Sequence, residues 1–242
     1  MNRYTATARA FAEKAKAHRG VALYFSGGKD SLALLDMCSR AFEQVTLVHF
    51  EFVPGVPLVE RMLSQAAERW HIHSVLRLPN AVSAAQFAAG RYCFRHAAAG
   101  QLNVPKFEEF APLVRSATGC DIVVTGAKKN DNLGFRIGVK DPHKVVWRPL
   151  WNWLNADVLA YLALHKIPRP PTPGGKSVSL IDTSTRVICW LYDNFRDSYE
   201  HLRTYFPFIS AVIARRALYG VGEWVDVQGR DKPRLAGVTQ PI

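Results

Sequence analysis

The pattern of apolar and polar positions predicts alternating strands and helices along the first half of the chain. Residues 21–25 form a continuous apolar run, which is typical of a strand buried on both faces of a parallel sheet. Helical spacing follows at residues 30–42, and a second strand is predicted at residues 45–50. From Pro57 onward the apolar residues recur at the spacing of an amphipathic helix, and proline suits its first turn.

This alternation predicts an α/β fold, a parallel sheet with helices on both faces and right-handed crossovers. The further predicted elements are an opening helix at residues 4–18, strands at 74–78, 121–125 and 145–150, and helices at 107–118 and 156–165, the last with Asn155 as its N-cap.

A proline-rich stretch at residues 168–175 interrupts the pattern, and residues 183–219 then have the spacing of two or three helices. We therefore expect an α/β domain at residues 1–175. A helical C-terminal region with a loose tail is expected at residues 176–242.

The loop between the first strand and its helix has the sequence Ser-Gly-Gly-Lys-Asp-Ser, residues 26–31. It lies at the carboxyl edge of the predicted sheet, where such folds bind ligands, and at a helix N-terminus, which attracts phosphate. Gly27 and Gly28 would allow close backbone approach and positive φ. The hydroxyls of Ser26 and Ser31 would donate hydrogen bonds, and Lys29 would supply a cation. Asp30 would bind Mg²⁺ or cap the helix.

Two common phosphate-binding motifs are excluded by spacing. The loop has neither the G-x-x-x-x-G-K-[ST] pattern nor a G-x-G-x-x-G after the strand. A second run at residues 173–177 ends like the first of these motifs, but Pro170 stands where its first glycine is required. We interpret that run as a turn, with a basic substrate loop as the alternative.

Composition and charge narrow the class of protein. The chain has 242 residues, 48% of them hydrophobic, and a formal net charge of +11 that is dispersed along the sequence. A phosphate-rich ligand or a nucleic acid could exploit this charge, so nucleic-acid contact stays open. The chain has no apolar run long enough to span a membrane and no secretory leader pattern, so we expect a cytoplasmic protein without membrane contact.

The four cysteines do not form a C-x-x-C pair, and we expect them to be free thiols. Cys93 lies next in sequence to basic residues, including Arg95 and His96, which lower a thiol pKa when they are close. Cys93 is therefore the best candidate for a reactive thiol, and the alternative is a packed loop residue.

The loop at residues 26–31 resembles the PP-loop of the adenine nucleotide α-hydrolase superfamily. Within that superfamily the chain most resembles the phosphoadenosine phosphosulfate reductase family. Val-Thr-Gly at residues 124–126, followed by basic residues, supports this resemblance. So does Trp-Arg-Pro-Leu at residues 147–150 with the later Trp153 and Asp157. The resemblance covers about residues 18–175.

The resemblance implies a Rossmann-like, five-stranded sheet and a bound adenine nucleotide with its phosphates on the PP-loop. Members either cleave ATP between the α- and β-phosphates, adenylating a substrate and releasing pyrophosphate, or reduce an adenylyl sulfate. By position, the resemblance implies phosphate binding by the loop residues Ser26, Gly27, Gly28, Asp30 and Ser31. It implies a nucleotide contact for Gly126. Lys128 would take the cationic role of a family Arg, and Arg136, one position from a second family Arg, would have a similar role.

The chain departs from the family's reductases in its cysteines. No cysteine follows Cys189, which lies in an apolar helical run, and the paired cysteines of iron–sulfur members are missing, so we expect no iron–sulfur cluster. The family's Asp-Thr-Gly after the second strand is replaced by residues 50–55. There, Glu51 could bond ribose or the adenine amine, or could be a solvated strand end.

These observations predict an enzyme that binds ATP with Mg²⁺, in which a nucleophilic oxygen attacks the α-phosphorus and pyrophosphate leaves. Asp30 would bind the metal, while Lys29, Lys128 and Arg136 would stabilise developing charge. One alternative is a reductase or binder of phosphoadenosine phosphosulfate, and another is a nucleic-acid-modifying or nucleic-acid-binding module. The acceptor substrate and the oligomeric state are left open.

Overall fold

The computed structural model describes residues 3–95, 109–131, 146–171 and 181–220. Its strands are β1 (Gly20–Tyr24), β2 (Gln44–Glu51), β3 (Ser74–Pro79) and β4 (Ile122–Thr125). Its helices are α1 (Arg3–Ala17), α2 (Lys29–Ala41), α3 (Pro57–Trp70), α4 (Ala81–Ala89), α5 (Phe110–Thr118), α6 (Asn155–Leu164), α7 (Thr185–Asn194), α8 (Arg196–Tyr205) and α9 (Ser210–Tyr219), with short 3₁₀ turns at Lys129–Asp131 and Pro207–Ile209.

The four described strands form one parallel sheet in the order β3–β2–β1–β4. Leu23 of β1 pairs in register with Leu47 of β2 on one side and with Val124 of β4 on the other. Strand β1 is buried along four of its five residues, as its continuous apolar run predicts. The carboxyl ends of β1, β2 and β4 therefore meet at one edge of the sheet.

Helices cover both faces of this sheet, which confirms the predicted fold class. On one face Leu23 and Phe25 pack in a large core with Leu34 and Leu35 of α2. On the other face a smaller core contains Tyr24 of β1 together with residues of β2, β4 and α5. The alternation of side chains along each strand supplies both cores at once.

The expected strand at residues 145–150 is reduced, within the described part, to a single parallel bridge. The N–H of Trp147 donates to the Val123 carbonyl at 2.8 Å, and the Thr125 N–H donates to the Trp147 carbonyl at 3.0 Å. Pro149 lacks an N–H and cannot extend this ladder, so the chain turns away after the bridge. The bridge lies in the position of a fifth strand beside β4.

The start of α6 differs from the sequence prediction by one residue. Asn155 is the first helical residue, and Leu154 occupies the N-cap position. The N–H of Leu154 donates to the Asp157 carboxylate at 2.7 Å, so a side chain in the first turn replaces the expected Asn155 cap.

Helix α4 is not predicted by the sequence pattern, because its residues are mostly alanine and carry no clear apolar stripe. Asn80 caps it by accepting from the Val82 N–H at 2.8 Å. Gly90 ends it with a left-handed φ of 68°. Capping residues at both ends are the signal that a sequence-based prediction could have used.

Three helices, α7 to α9, occupy the region predicted to hold two or three, and they pack against the α/β part. Val187 and Leu202 belong to the same core as Leu23 of the central strand. Phe206 stacks on Phe87 of α4 with ring centroids 4.5 Å apart. The expected domain boundary after residue 175 lies outside the described residues. Within the described ranges, none of the helices combines the length and hydrophobicity that a membrane crossing requires.

A buried carboxylate ties α2 to α3 and α6. Asp36 accepts hydrogen bonds from Arg40 Nε at 2.8 Å, from Trp70 Nε1 at 3.1 Å and from Tyr161 Oη at 2.7 Å. Burial alone would raise the pKa of Asp36, but these donors lower it below its ordinary value. Asp36 therefore stabilises the fold in its charged form.

Substituting Asp36→Asn should lower the free energy of unfolding by about 2 kcal/mol at neutral pH, because a buried charged acceptor is lost. The folded-state pKa of Asp36 is depressed. The charged carboxylate of Asp36 therefore contributes its full stabilisation above the unfolded-state pKa and loses it as pH falls through the folded-state pKa. The difference in unfolding free energy between the variant and the unmodified chain should then shrink below about pH 4.

Urea unfolding of both chains at a series of pH values measures this difference. Asp121→Asn, at a largely exposed carboxylate, is the matched control and should change stability by less than about 0.5 kcal/mol. A deficit for Asp36→Asn that does not vary with pH would contradict the role of its charge.

Candidate functional site

A cavity of about 450 Å³ opens at the carboxyl edge of the sheet, where β1, β2 and β4 end. Its wall contains Ser26, Ser31 and Gly126 from the loops at this edge. It also contains apolar side chains such as Phe52 and Val59. This is the position in which open α/β sheets bind ligands. Of the loop that the sequence predicts as the active site, Ser26, Asp30 and Ser31 line the cavity, whereas Gly27, Gly28 and Lys29 are not in its wall.

Gly27 is required by the turn between β1 and α2. Its φ is 71°, a left-handed conformation that favours glycine. A Cβ atom at this position would lie 1.6 Å from Met62 Sδ of α3. Gly28, in contrast, has an ordinary φ of −74° as the N-cap of α2, so the expectation of positive φ is confirmed for Gly27 and wrong for Gly28.

The first turn of α2 has no side-chain cap. The Ser31 hydroxyl donates to the Gly28 carbonyl at 2.9 Å, and its Oγ lies 3.3 Å from Ser26 Oγ. Asp30 does not cap the helix, contrary to one of the two roles expected for it. The N–H groups of the first turn therefore have no intrahelical acceptor and no capping side chain, which is the arrangement that suits a bound phosphate.

Two lysines hold the carboxylate of Asp30. Lys29 Nζ lies 2.8 Å from its Oδ2, and Lys128 Nζ lies 2.6 Å from its Oδ1. The Lys128 side chain is only 2% exposed, and its ammonium also lies 3.5 Å from Asp131. Lys128 does not line the cavity, whereas Asp30 does. The structure thus brings three of the predicted catalytic residues together, with Lys128 behind Asp30.

The expected magnesium role of Asp30 can be compared with these contacts. Both carboxylate oxygens already face ammonium groups. With both oxygens paired to ammonium groups, the Asp30 side chain does not form a ready magnesium ligand, and no catalytic step is assigned to a metal there.

Gly126 lets the loop after β4 approach the start of α2. A Cβ atom there would lie 3.1 Å from the Cβ and carbonyl carbon of Asp30, closer than nearly all real contacts. Gly126 also lines the cavity. The close approach explains why glycine ends β4 and places the Asp30–Lys128 contact beside the cavity.

Glu51 is neither in the cavity wall nor a solvated strand end. Its carboxylate lies 2.6 Å from the Arg77 guanidinium, which also pairs with Glu60 at 2.6 Å. A ribose or adenine contact by Glu51 would need this pairing to change. Arg136 and the second Gly-Gly run at residues 173–177 lie outside the described residues.

His49 is a cavity residue that sequence reasoning missed. It is 8% exposed, it lines the cavity, and its Nδ1 lies 3.0 Å from the Phe25 carbonyl. Burial lowers its pKa, so the imidazole is neutral near pH 7. A single ionisable side chain inside a largely apolar strand, residues 45–50, is the signal that could have identified it.

All four cysteines are buried free thiols, and none of them lines the cavity. Burial raises the pKa of Cys93, the opposite of the direction expected from its basic sequence neighbours. Burial also raises the pKa of Cys189. A thiol that is protonated and enclosed is a poor nucleophile, so these cysteines resemble core residues.

Comparison with known proteins gives one family match. The sequence profile of the phosphoadenosine phosphosulfate reductase domain matches residues 20–172. That range agrees closely with the region in which the motifs resemble the family. No curated protein matches the sequence significantly.

Solved structures with a similar arrangement include an NH₃-dependent NAD synthetase from Campylobacter jejuni, with 14% identity over 92% of this chain and 96% of the other, at a TM-score of 0.49. A phosphoadenylyl-sulfate reductase from Candida auris has 19% identity over 61% and 74% of the two chains, at a TM-score of 0.39. A U34-tRNA thiolase from Methanococcus maripaludis has 15% identity over 84% and 79%, at a TM-score of 0.42. Since the family profile covers more than half of its length, the chain belongs to the phosphoadenosine phosphosulfate reductase domain family of PP-loop proteins.

Proposed function

We propose that the chain is an enzyme that binds an adenine nucleotide in the cavity at the carboxyl edge of the sheet and acts at its α-phosphate. In the reaction, an oxygen of an acceptor substrate bonds to the α-phosphorus of ATP. The bond from that phosphorus to the bridging oxygen breaks, and pyrophosphate leaves with the bonding electrons. The acceptor is adenylated and its proton passes to solvent.

The observation that carries this proposal is the mixed lining of the cavity beside the start of α2. The uncapped first turn of α2 supplies N–H donors, and Ser26 and Ser31 of the same loop lie in the cavity wall. Apolar side chains such as Phe52 and Val59 also line the cavity. Phosphates suit the donors and a purine base suits the apolar wall.

The cysteines favour this reaction over reduction of phosphoadenosine phosphosulfate. Reduction by the family's route needs a thiolate that can reach the sulfonucleotide. All four cysteines of this chain are buried outside the cavity wall. The pKa values of Cys93 and Cys189 are raised by burial, so a thiolate at either site is disfavoured.

The charged side chains near the loop have different roles in this mechanism. Lys29 lies in the first turn of α2, outside the cavity wall but partly exposed, and we assign its ammonium to stabilising negative charge on the leaving pyrophosphate. Lys128 is enclosed and paired with Asp30, and we assign it to positioning: it fixes the loop after β4 against the PP-loop. The Asp30 carboxylate holds the ammonium groups of both lysines in place.

The direct test combines calorimetry with product analysis. ATP should bind with a stoichiometry near one, and slow turnover with water as the acceptor should yield AMP and pyrophosphate. ADP and inorganic phosphate as products, or no adenine nucleotide binding, would contradict the proposal. Release of sulfite from phosphoadenosine phosphosulfate in the presence of thioredoxin or glutathione would favour the reductase instead.

Cys93→Ser should leave the ATP dissociation constant and pyrophosphate release unchanged, because Cys93 does not line the cavity. The same assays on the purified variant measure this, and its melting temperature controls for folding. A variant with normal stability but lost turnover would make Cys93 part of the chemistry.

Gly27→Ala should weaken ATP binding at least about tenfold, because the substitution strains a left-handed turn and displaces Met62 from beneath the loop. Gly119→Ala is the matched control, since Gly119 also has a positive φ but has nothing within 4 Å of its added Cβ. Both variants should lose about 1–2 kcal/mol to backbone strain. Equal ATP affinities in the two variants would argue against the loop as the phosphate site.

Lys128→Met should lower the free energy of unfolding by about 3 kcal/mol, because it leaves the Asp30 carboxylate without its buried partner. The combined Lys128→Met and Asp30→Asn variant should lose less than the sum of the single losses, by at least about 1 kcal/mol. Chemical denaturation measures all three. Lys129→Met, at the exposed neighbouring lysine, is the control. Additive losses of unfolding free energy in the double variant would show that Lys128 and Asp30 do not interact energetically.

A further inference from the structure

The imidazole of His49 lines the cavity, and the hydrogen-bonding role of each of its nitrogens is defined. A carbonyl oxygen can only accept, so the Nδ1 atom, 3.0 Å from the Phe25 carbonyl, must carry a proton and donate. The ring is neutral because burial lowers its pKa. In that tautomer Nε2 has a lone pair and no proton, and is therefore an acceptor.

This acceptor is available for a ligand. Within the part of the chain that the structure describes, the bond to Phe25 is the only hydrogen bond of the imidazole. Glu51, Glu60 and Arg77, the charged groups whose field acts on His49, are paired with one another. The ring itself lines the cavity.

The surroundings of His49 suit a purine base. Phe50, Phe52 and Val53, which follow it on β2 and the next loop, contribute apolar surface to the same cavity. A polar atom in such a wall discriminates strongly, because a buried group without a partner costs far more than one that is paired. Adenine carries an amino donor at position 6, whereas hypoxanthine carries a carbonyl acceptor there.

We propose that Nε2 of His49 accepts a hydrogen bond from the 6-amino group of the bound adenine, so that the cavity selects adenine over 6-oxopurines. This inference rests on the proposed function, because it takes the nucleotide to lie in this cavity. With hypoxanthine, two acceptors would face each other and neither would be satisfied.

The test compares dissociation constants of ATP and ITP by calorimetry. The unmodified chain should bind ATP about 10- to 100-fold more tightly than ITP. In His49→Gln the amide can turn either its oxygen or its NH₂ toward the base, so ATP binding should persist and the preference should fall to about threefold or less. His73→Gln, the same substitution at an exposed position, should retain the full preference.

A further comparison needs no variant. Purine riboside triphosphate lacks the 6-amino group and should bind the unmodified chain about tenfold more weakly than ATP. Equal affinities for ATP and ITP, or a preference that His49→Gln leaves intact, would overturn the inference while the proposed function stands. Failure of the unmodified chain to bind any adenine nucleotide would overturn both.

Discussion

The left-handed turn at Gly27 is the constraint on which the site depends. It reverses the chain between the central strand β1 and helix α2 within a few residues, and it does so with Met62 of α3 packed directly against it. Only glycine meets both conditions. Because the turn is so tight, the uncapped N-terminus of α2 faces the edge at which three parallel strands end. The sheet therefore brings the phosphate-binding donors and the apolar wall into one cavity.

A second close approach completes the site from the other side of β1. Gly126 ends β4 against the backbone of Asp30, and the loop that follows delivers Lys128 to the Asp30 carboxylate. A lysine that is almost fully enclosed requires a charged partner, since an unpaired buried charge is very costly. The pair links two loops that are almost 100 residues apart in sequence.

The sequence predicts much of this because its strongest signals are local. Continuous apolar runs at β1 and β4, the glycines after them and the stripe of α3 each specify an element without reference to the rest of the chain. The loop at residues 26–31 and the family region are identified by resemblance to known motifs, and the profile match at residues 20–172 confirms the family. Long-range contacts are what the pattern could not supply. Three features depend on neighbours distant in sequence: the enclosure of Lys128, the pairing of Glu51 with Arg77 and the burial of the Cys93 thiol. The position of His49 in the cavity likewise becomes visible only when β1 and β2 are aligned.

The central claim is that the cavity holds an adenine nucleotide with its phosphates on residues 26–31. A crystal structure with α,β-methylene-ATP, which cannot be cleaved between the α- and β-phosphates, tests it most directly. We expect phosphate oxygens within hydrogen-bond distance of the first-turn N–H groups of α2 and the base against apolar side chains of the cavity wall. Phosphates bound elsewhere, with the loop at residues 26–31 left free, would contradict it.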